Sequence, residues 1–106
     1  MREDMTSFIE RLSIVEQRFG ISLAGLYAYG DGQYIYINGE LRSERTLDAD
    51  LEVVANLYDA GGRMLGDMKH IVSAEEFFGF DSFSMLQDLD EDQPHVTRIL
   101  LFVRTF

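Results

Sequence analysis

Apolar positions change their spacing near residue 20. Before it, Met5, Phe8, Ile9, Leu12, Val15 and Phe19 follow an i, i+3, i+4, i+7 ladder, the spacing of one helical face. Ser7 and Glu10 stand at capping-box spacing, and Gly20 offers a stop. A short amphipathic helix is therefore predicted over residues 5–12. Residues 13–19 are open between helix and strand, because Ile14 and Val15 are β-branched and the stripe is least regular there.

From Gly20 onward, aromatic and β-branched residues come in short runs punctuated by glycine and aspartate, a strand signature. The pattern predicts strands over residues 23–29, 33–41, 51–58, 64–72, 77–89 and 96–106. Gly30-Asp31-Gly32 separates the first two and supplies the positive φ values that a tight hairpin needs. In the second strand Ile35 and Ile37 share one face with Gly39, and Tyr34, Tyr36 and Asn38 share the other. The isoleucine face is expected to meet the core, with the tyrosines at a rim where their hydroxyls stay wet. The closing run Ile99-Leu100-Leu101-Phe102-Val103 is apolar on both faces, which places it centrally in a sheet or beneath a partner.

Short strands with turn signals at this spacing predict a single domain over residues 1–106. Its expected form is an immunoglobulin-like antiparallel β-sandwich over 20–106, preceded by a helical segment in 1–12. The stretch Tyr34-Ile-Tyr-Ile-Asn-Gly-Glu-Leu-Arg-Ser43, followed by Leu51-Glu-Val-Val-Ala-Asn-Leu-Tyr-Asp-Ala-Gly-Gly-Arg-Met-Leu-Gly66, resembles FxLYD-type domains of the immunoglobulin-like class. Leu57-Tyr58-Asp59, with Gly62 and Leu65-Gly66, is the most specific element of that likeness. The resemblance implies a sandwich and carries no catalytic residues.

Composition narrows the function. The chain has 106 residues, 46% of them apolar and 26% charged, and 19 acidic against 9 basic residues give a net charge of −10. An average surface of that sign repels polyanions, so neither nucleic acid nor an anionic membrane is expected as a partner. With no cysteine, disulfides, thiolate metal sites and a cysteine nucleophile are excluded. No long apolar run follows Met1-Arg2-Glu3-Asp4, which points to a cytoplasmic protein.

Motifs for chemistry are sparse. Asp88-Leu-Asp-Glu-Asp92 begins like a calcium loop, but Gln93 stands where glycine is needed and Ile99 where a bidentate glutamate belongs. Asp48-Ala-Asp-Leu-Glu52 fails in the same way at Val53. If the strands alternate in direction, Asp31, Asp59, Asp88, Asp90 and Asp92 gather at one end, a candidate cation site whose ordinary reading is turn formation and solvation. His70 and His95 have no metal-ligand or triad spacing, and no serine lies in a G-x-S-x-G context. Glu75 and Glu76 are adjacent and cannot flank one bond.

No cofactor is expected. The leading expectation is a non-enzymatic protein–protein interaction module that self-associates through an apolar face, with Met5, Phe8, Ile9, Leu12, Phe78 and Phe80 as interface candidates. The alternative is a cation- or small-ligand-binding domain that uses the acidic end together with Tyr34, Tyr36 and Tyr58.

Overall fold

Most of the buried strand positions are leucine or β-branched side chains, many of them placed two residues apart, and they assemble two sheets that face each other across one core. The computed structural model describes residues 3–89 and 95–106. In chain order the elements are β1 (Glu3–Asp4), a 3-10 turn (Thr6–Phe8), β2 (Ile9–Arg11), α1 (Ser13–Phe19), β3 (Ser22–Gly30), β4 (Tyr34–Arg42), β5 (Leu51–Tyr58), β6 (Met64–Val72), β7 (Phe80–Asp88) and β8 (Arg98–Thr105). One sheet has the order β1-β3-β4-β7 and the other β2-β8-β5-β6. Ile35, Ile37, Leu41, Phe83 and Met85 from the first sheet meet Val53, Ala55, Leu57, Ile99, Leu101 and Val103 from the second. No helix among the described residues is long and apolar enough to cross a membrane.

The strands predicted over residues 51–58 and 64–72 are found with those bounds, and the other four differ by one to three residues at an end. The isoleucine face of β4 is buried, as expected. β8 is apolar on both faces because it is central, paired antiparallel with β5 and parallel with β2. The central position is one of the two alternatives that its pattern offered.

The N-terminal helix is corrected. Residues 5–12 form the 3-10 turn and β2, and the helix is α1, in the stretch left open by the sequence. The apolar ladder instead serves a segment that crosses from one sheet to the other. Asp4 pairs with Tyr29, the Met5 N–H donates to Ala28 O at 2.8 Å, and Ile9 then pairs with Ile99. Met5 is buried, and Phe8 and Ile9 pack on the core from its edge. Gly20 does end the helix, in the left-handed region at φ 70.

A bulge in β3 decides what the first sheet shows to solvent. Ala24 pairs with Glu40 and Tyr27 with Asn38, so Gly25 and Leu26 together oppose Gly39. Gly25, at φ 59, adopts the left-handed conformation there. The extra residue reverses the alternation. Leu23 and Ala28, five positions apart, are both buried, and Tyr27 and Tyr29 turn outward. Gly39 leaves room for the result, since a Cβ there would sit 2.6 Å from Phe83 Cζ and 2.7 Å from Leu26 Cδ2.

Candidate interaction surface

Cross-strand register places the outward tyrosines of β3 beside those of β4. Tyr29 pairs with Tyr36 and Tyr36 with Leu86, while Tyr27 lies opposite Asn38 and Tyr34 opposite Asp88. The Tyr29 and Tyr36 rings stack, with centroids 4.5 Å apart and planes 14° from parallel. Tyr27 continues the run from Tyr29 at 5.3 Å, and Tyr34 continues it from Tyr36 at 6.3 Å. Four rings thus form one unbroken aromatic band on the outer face of the first sheet, and Leu86, 55% exposed, extends it. Ring contacts of this kind add to the stability of the sheet, and the hydroxyls make the face amphipathic.

The border of the band is acidic. On the outer face of the first sheet Asp4, Glu40 and Asp88 flank the rings against Arg42, which pairs with Glu40. The strands of the second carry Glu10, Glu52 and Asp67 against Arg11, Lys69, Arg98 and Arg104. Basic strand residues and their ion pairs therefore concentrate on the second sheet, where Glu52, buried on the outer face, is held by Arg104 at 2.9 Å and Lys69 at 4.0 Å. Tyr58 also belongs there, under Arg98 at 5.2 Å, and so does not join Tyr34 and Tyr36 as the sequence reading had it.

Asp31 ties the acidic border to the band. Its Oδ1 accepts the N–H groups of Tyr34 at 2.8 Å and Gln33 at 3.0 Å, and its Oδ2 accepts the Tyr36 hydroxyl at 3.4 Å. The amides of Tyr34 and then Gln33 hold its carboxyl below the ordinary 3.8. Partial burial, followed by the Asp31 charge, pushes the Tyr36 hydroxyl up. A carboxyl depressed on folding lends stability that is full above its ordinary value and is lost as pH falls through the lowered one. In an acid titration followed by NMR, Asp31 is expected to titrate below 3.8, and the Tyr34 amide to exchange faster as it does. Asp31→Asn should remove that pH dependence. Titration of Asp31 at its ordinary value would refute the role given to the turn amides.

Of the five aspartates proposed as a cation site, the three among the described residues, Asp31, Asp59 and Asp88, are not grouped as ligands. Asp31 and Asp59 do lie at the same end, since Tyr34 pairs with Asp88 and Gly66, beside the β5–β6 turn, faces Gln87. Each directs Oδ1 to amides of its own turn, Asp59 to Gly61 and Arg63 at 2.9 Å. Among the described residues no three His, Asp or Glu side chains are arranged to hold an ion. Asp90 and Asp92 lie outside the described residues.

The interface candidates divide. Met5, Phe8 and Ile9 pack inward against their own core, which corrects their assignment, because the segment that carries them spans the two sheets instead of presenting a helix face. Leu12 is 37% exposed, Phe80 53% and Phe78 90%. These last two stand at the end opposite the aspartate turns, near Arg42 and Ser43. Tyr27, Tyr29 and Leu86 were missed. Alternation alone could have paired Tyr27 with Tyr29, but their place beside Tyr36 depends on the bulge and the hairpin register.

His70 bridges the open side between the sheets. Its Nε2 lies 3.1 Å from Asp81 Oδ2 and its ring 5.9 Å from that of Phe83. Ser73 and Glu76 line the adjoining cavity of about 450 Å³, and no hydrogen bond joins the Ser73 hydroxyl to the imidazole. No family model matches the chain, and comparisons with curated proteins and with solved structures return no match.

Proposed function

We propose that this is a non-enzymatic interaction module, a β-sandwich whose first sheet binds a basic segment of another protein across the Tyr27–Tyr29–Tyr36–Tyr34 band. The observation that carries the reading is the continuous four-ring run set among carboxylates. Tyrosine is enriched at protein interfaces, where a rigid ring contributes area at small entropic cost and the hydroxyl adapts to its partner. Arginine and lysine complement such a band, by contact with the rings and by attraction to Asp4, Asp31 and Asp88. A second copy of the chain, the occupant expected from sequence, would bring the same acidic border and a charge of −10 to meet its like.

An immunoglobulin-like assignment at the finer level, and the FxLYD-type likeness with it, is supported by the divided first strand, antiparallel to β3 in one sheet and parallel to β8 in the other. The β3–β4 hairpin within one sheet departs from the constant-type order, in which the second and third strands lie in different sheets. The non-enzymatic reading is supported by the surroundings of His70. Its ring has a carboxylate partner but no hydrogen-bonded nucleophile among the described residues.

The test is a titration of the labelled chain with a short Arg/Lys-rich peptide and with an acidic peptide of equal length. Saturable NMR shifts at Tyr27, Tyr36 and Leu86 are expected with the basic peptide alone. Tyr29→Ala with Tyr36→Ala should weaken binding by about 10- to 100-fold. Shifts elsewhere, or affinity indifferent to the double substitution, would overturn the reading. Light scattering that shows a dimer dissolved by the same substitutions would replace the basic partner with a second copy.

A further inference from the structure

In a chain with 19 acidic residues, an arginine without a carboxylate needs a reason. Arg11, Arg42, Lys69, Arg98 and Arg104 each form an ion pair. Among the described residues Arg18, Arg45 and Arg63 do not. Arg63 lies in the β5–β6 turn, whereas Arg18 and Arg45 line one cavity of about 410 Å³ at the other end of the molecule. Both side chains are exposed, and an oxyanion held in that cavity would offset the like charge of the two guanidinium groups.

The local backbone is built around these groups. Arg18 occupies the last turn of α1, and Gly20 caps that helix in the left-handed region. A Cβ at Gly20 would fall on the guanidinium of Arg45, so the glycine lets that group lie against the chain. Ser43 fixes the approach. Its hydroxyl has Arg45 O at 2.9 Å and Gly20 O at 3.1 Å as acceptors for its one proton, and it accepts the Arg45 N–H at 3.1 Å. Phe19 and Leu47, both half-buried, and buried Leu51 give the cavity an apolar side. Asp48 also lines it, yet lies beyond ion-pair distance of both arginines.

The geometry points to a binding site for a small organic oxyanion, with a carboxylate or phosphate head between Arg18 and Arg45 and an apolar body over Phe19, Leu47 and Leu51. The guanidinium fork suits either head, since both present two oxygens in a plane. This site is independent of the tyrosine band, which lies on the face of the first sheet toward the aspartate turns.

Benzoate and phenyl phosphate, each titrated at constant ionic strength into the full chain, provide the test, with sodium chloride as the reference anion. Amide and arginine Nε–Hε NMR signals report the contact. Saturable shifts confined to Arg18, Arg45, Thr46 and their neighbours are expected, and the tighter probe identifies the head group. Arg18→Gln and Arg45→Gln should each weaken binding about tenfold or more, Arg45→Lys less, and Arg63→Gln not at all. An unchanged spectrum away from the cavity shows that each variant is folded. Shifts that chloride reproduces, that never saturate, or that survive both glutamine substitutions would overturn the proposal.

Discussion

Leu101→Ala is expected to remove about 3–5 kcal/mol of folding stability, the cost of emptying a fully buried leucine site that cannot collapse. Leu101 has no exposed surface and sits at the centre of the four-strand layer, opposite Ala55 on one side and Arg11 on the other. Its neighbours are held by backbone ladders, and its own carbonyl accepts the Leu12 N–H at 3.2 Å, so little can move in to fill the void. A domain of this size has about 5–15 kcal/mol in total. The variant should therefore melt far earlier in urea, or fail to fold at physiological temperature. Leu100→Ala provides the contrast, because that side chain lies half-buried on the outer face, and about 1 kcal/mol or less is expected. Equal losses for the two would contradict the assignment of inner and outer faces.

Glu16→Ala should cost about 2–3 kcal/mol, large for a residue on a seven-residue helix. Glu16 is 2% exposed. Its carboxylate accepts the Arg11 Nε–H at 3.1 Å and the buried Leu23 N–H at 2.9 Å. One side chain thereby joins β2, α1 and the start of β3. Alanine would leave the Leu23 amide without an acceptor and Arg11 without its partner. Glu16→Gln retains an acceptor for Leu23 and should lose less than half as much. Hydrogen exchange at Leu23 distinguishes the two effects. A Leu23 amide equally protected in all three proteins would show that the bond contributes nothing.

Glu16 also explains why the N-terminal segment misleads. Helix prediction looks for an apolar stripe, but α1 buries a charged residue and exposes Ile14 at 67%. Its inward position is polar because the site it faces is a backbone amide. The better stripe, Met5 to Leu12, belongs to a chain that must bury apolar groups at irregular intervals while changing sheets. Helical spacing and such a crossing look alike until the second sheet is present. The later strands were legible because each satisfies local rules by itself. Alternation separates Ile35 and Ile37 from Tyr34 and Tyr36, and glycine with aspartate marks the turns.

The surface was legible in half. Tyr34 and Tyr36 are assigned outward by period two, whereas the place of Tyr27 and Tyr29 depends on the extra residue at Gly25. Nothing local announces a bulge at a glycine that could equally end a strand. The pairing of Arg18 with Arg45 is less legible still, since it brings a helix end against a loop 27 positions later through the Ser43 contacts.

The parallel alignment of β2 with β8 has a mechanical consequence. Both strands run from the aspartate-turn end toward the opposite end of a body 43 × 24 × 21 Å in extent. The chain enters beside Gly30 and leaves beside Leu51, at opposite ends. Tension along the chain would slide β2 past β8 in shear, loading Ile9–Ile99, Glu10–Leu100 and Arg11–Leu101 together rather than peeling them one at a time. The Arg98–Glu10 ion pair, bound across the same seam, would have to part in the same event.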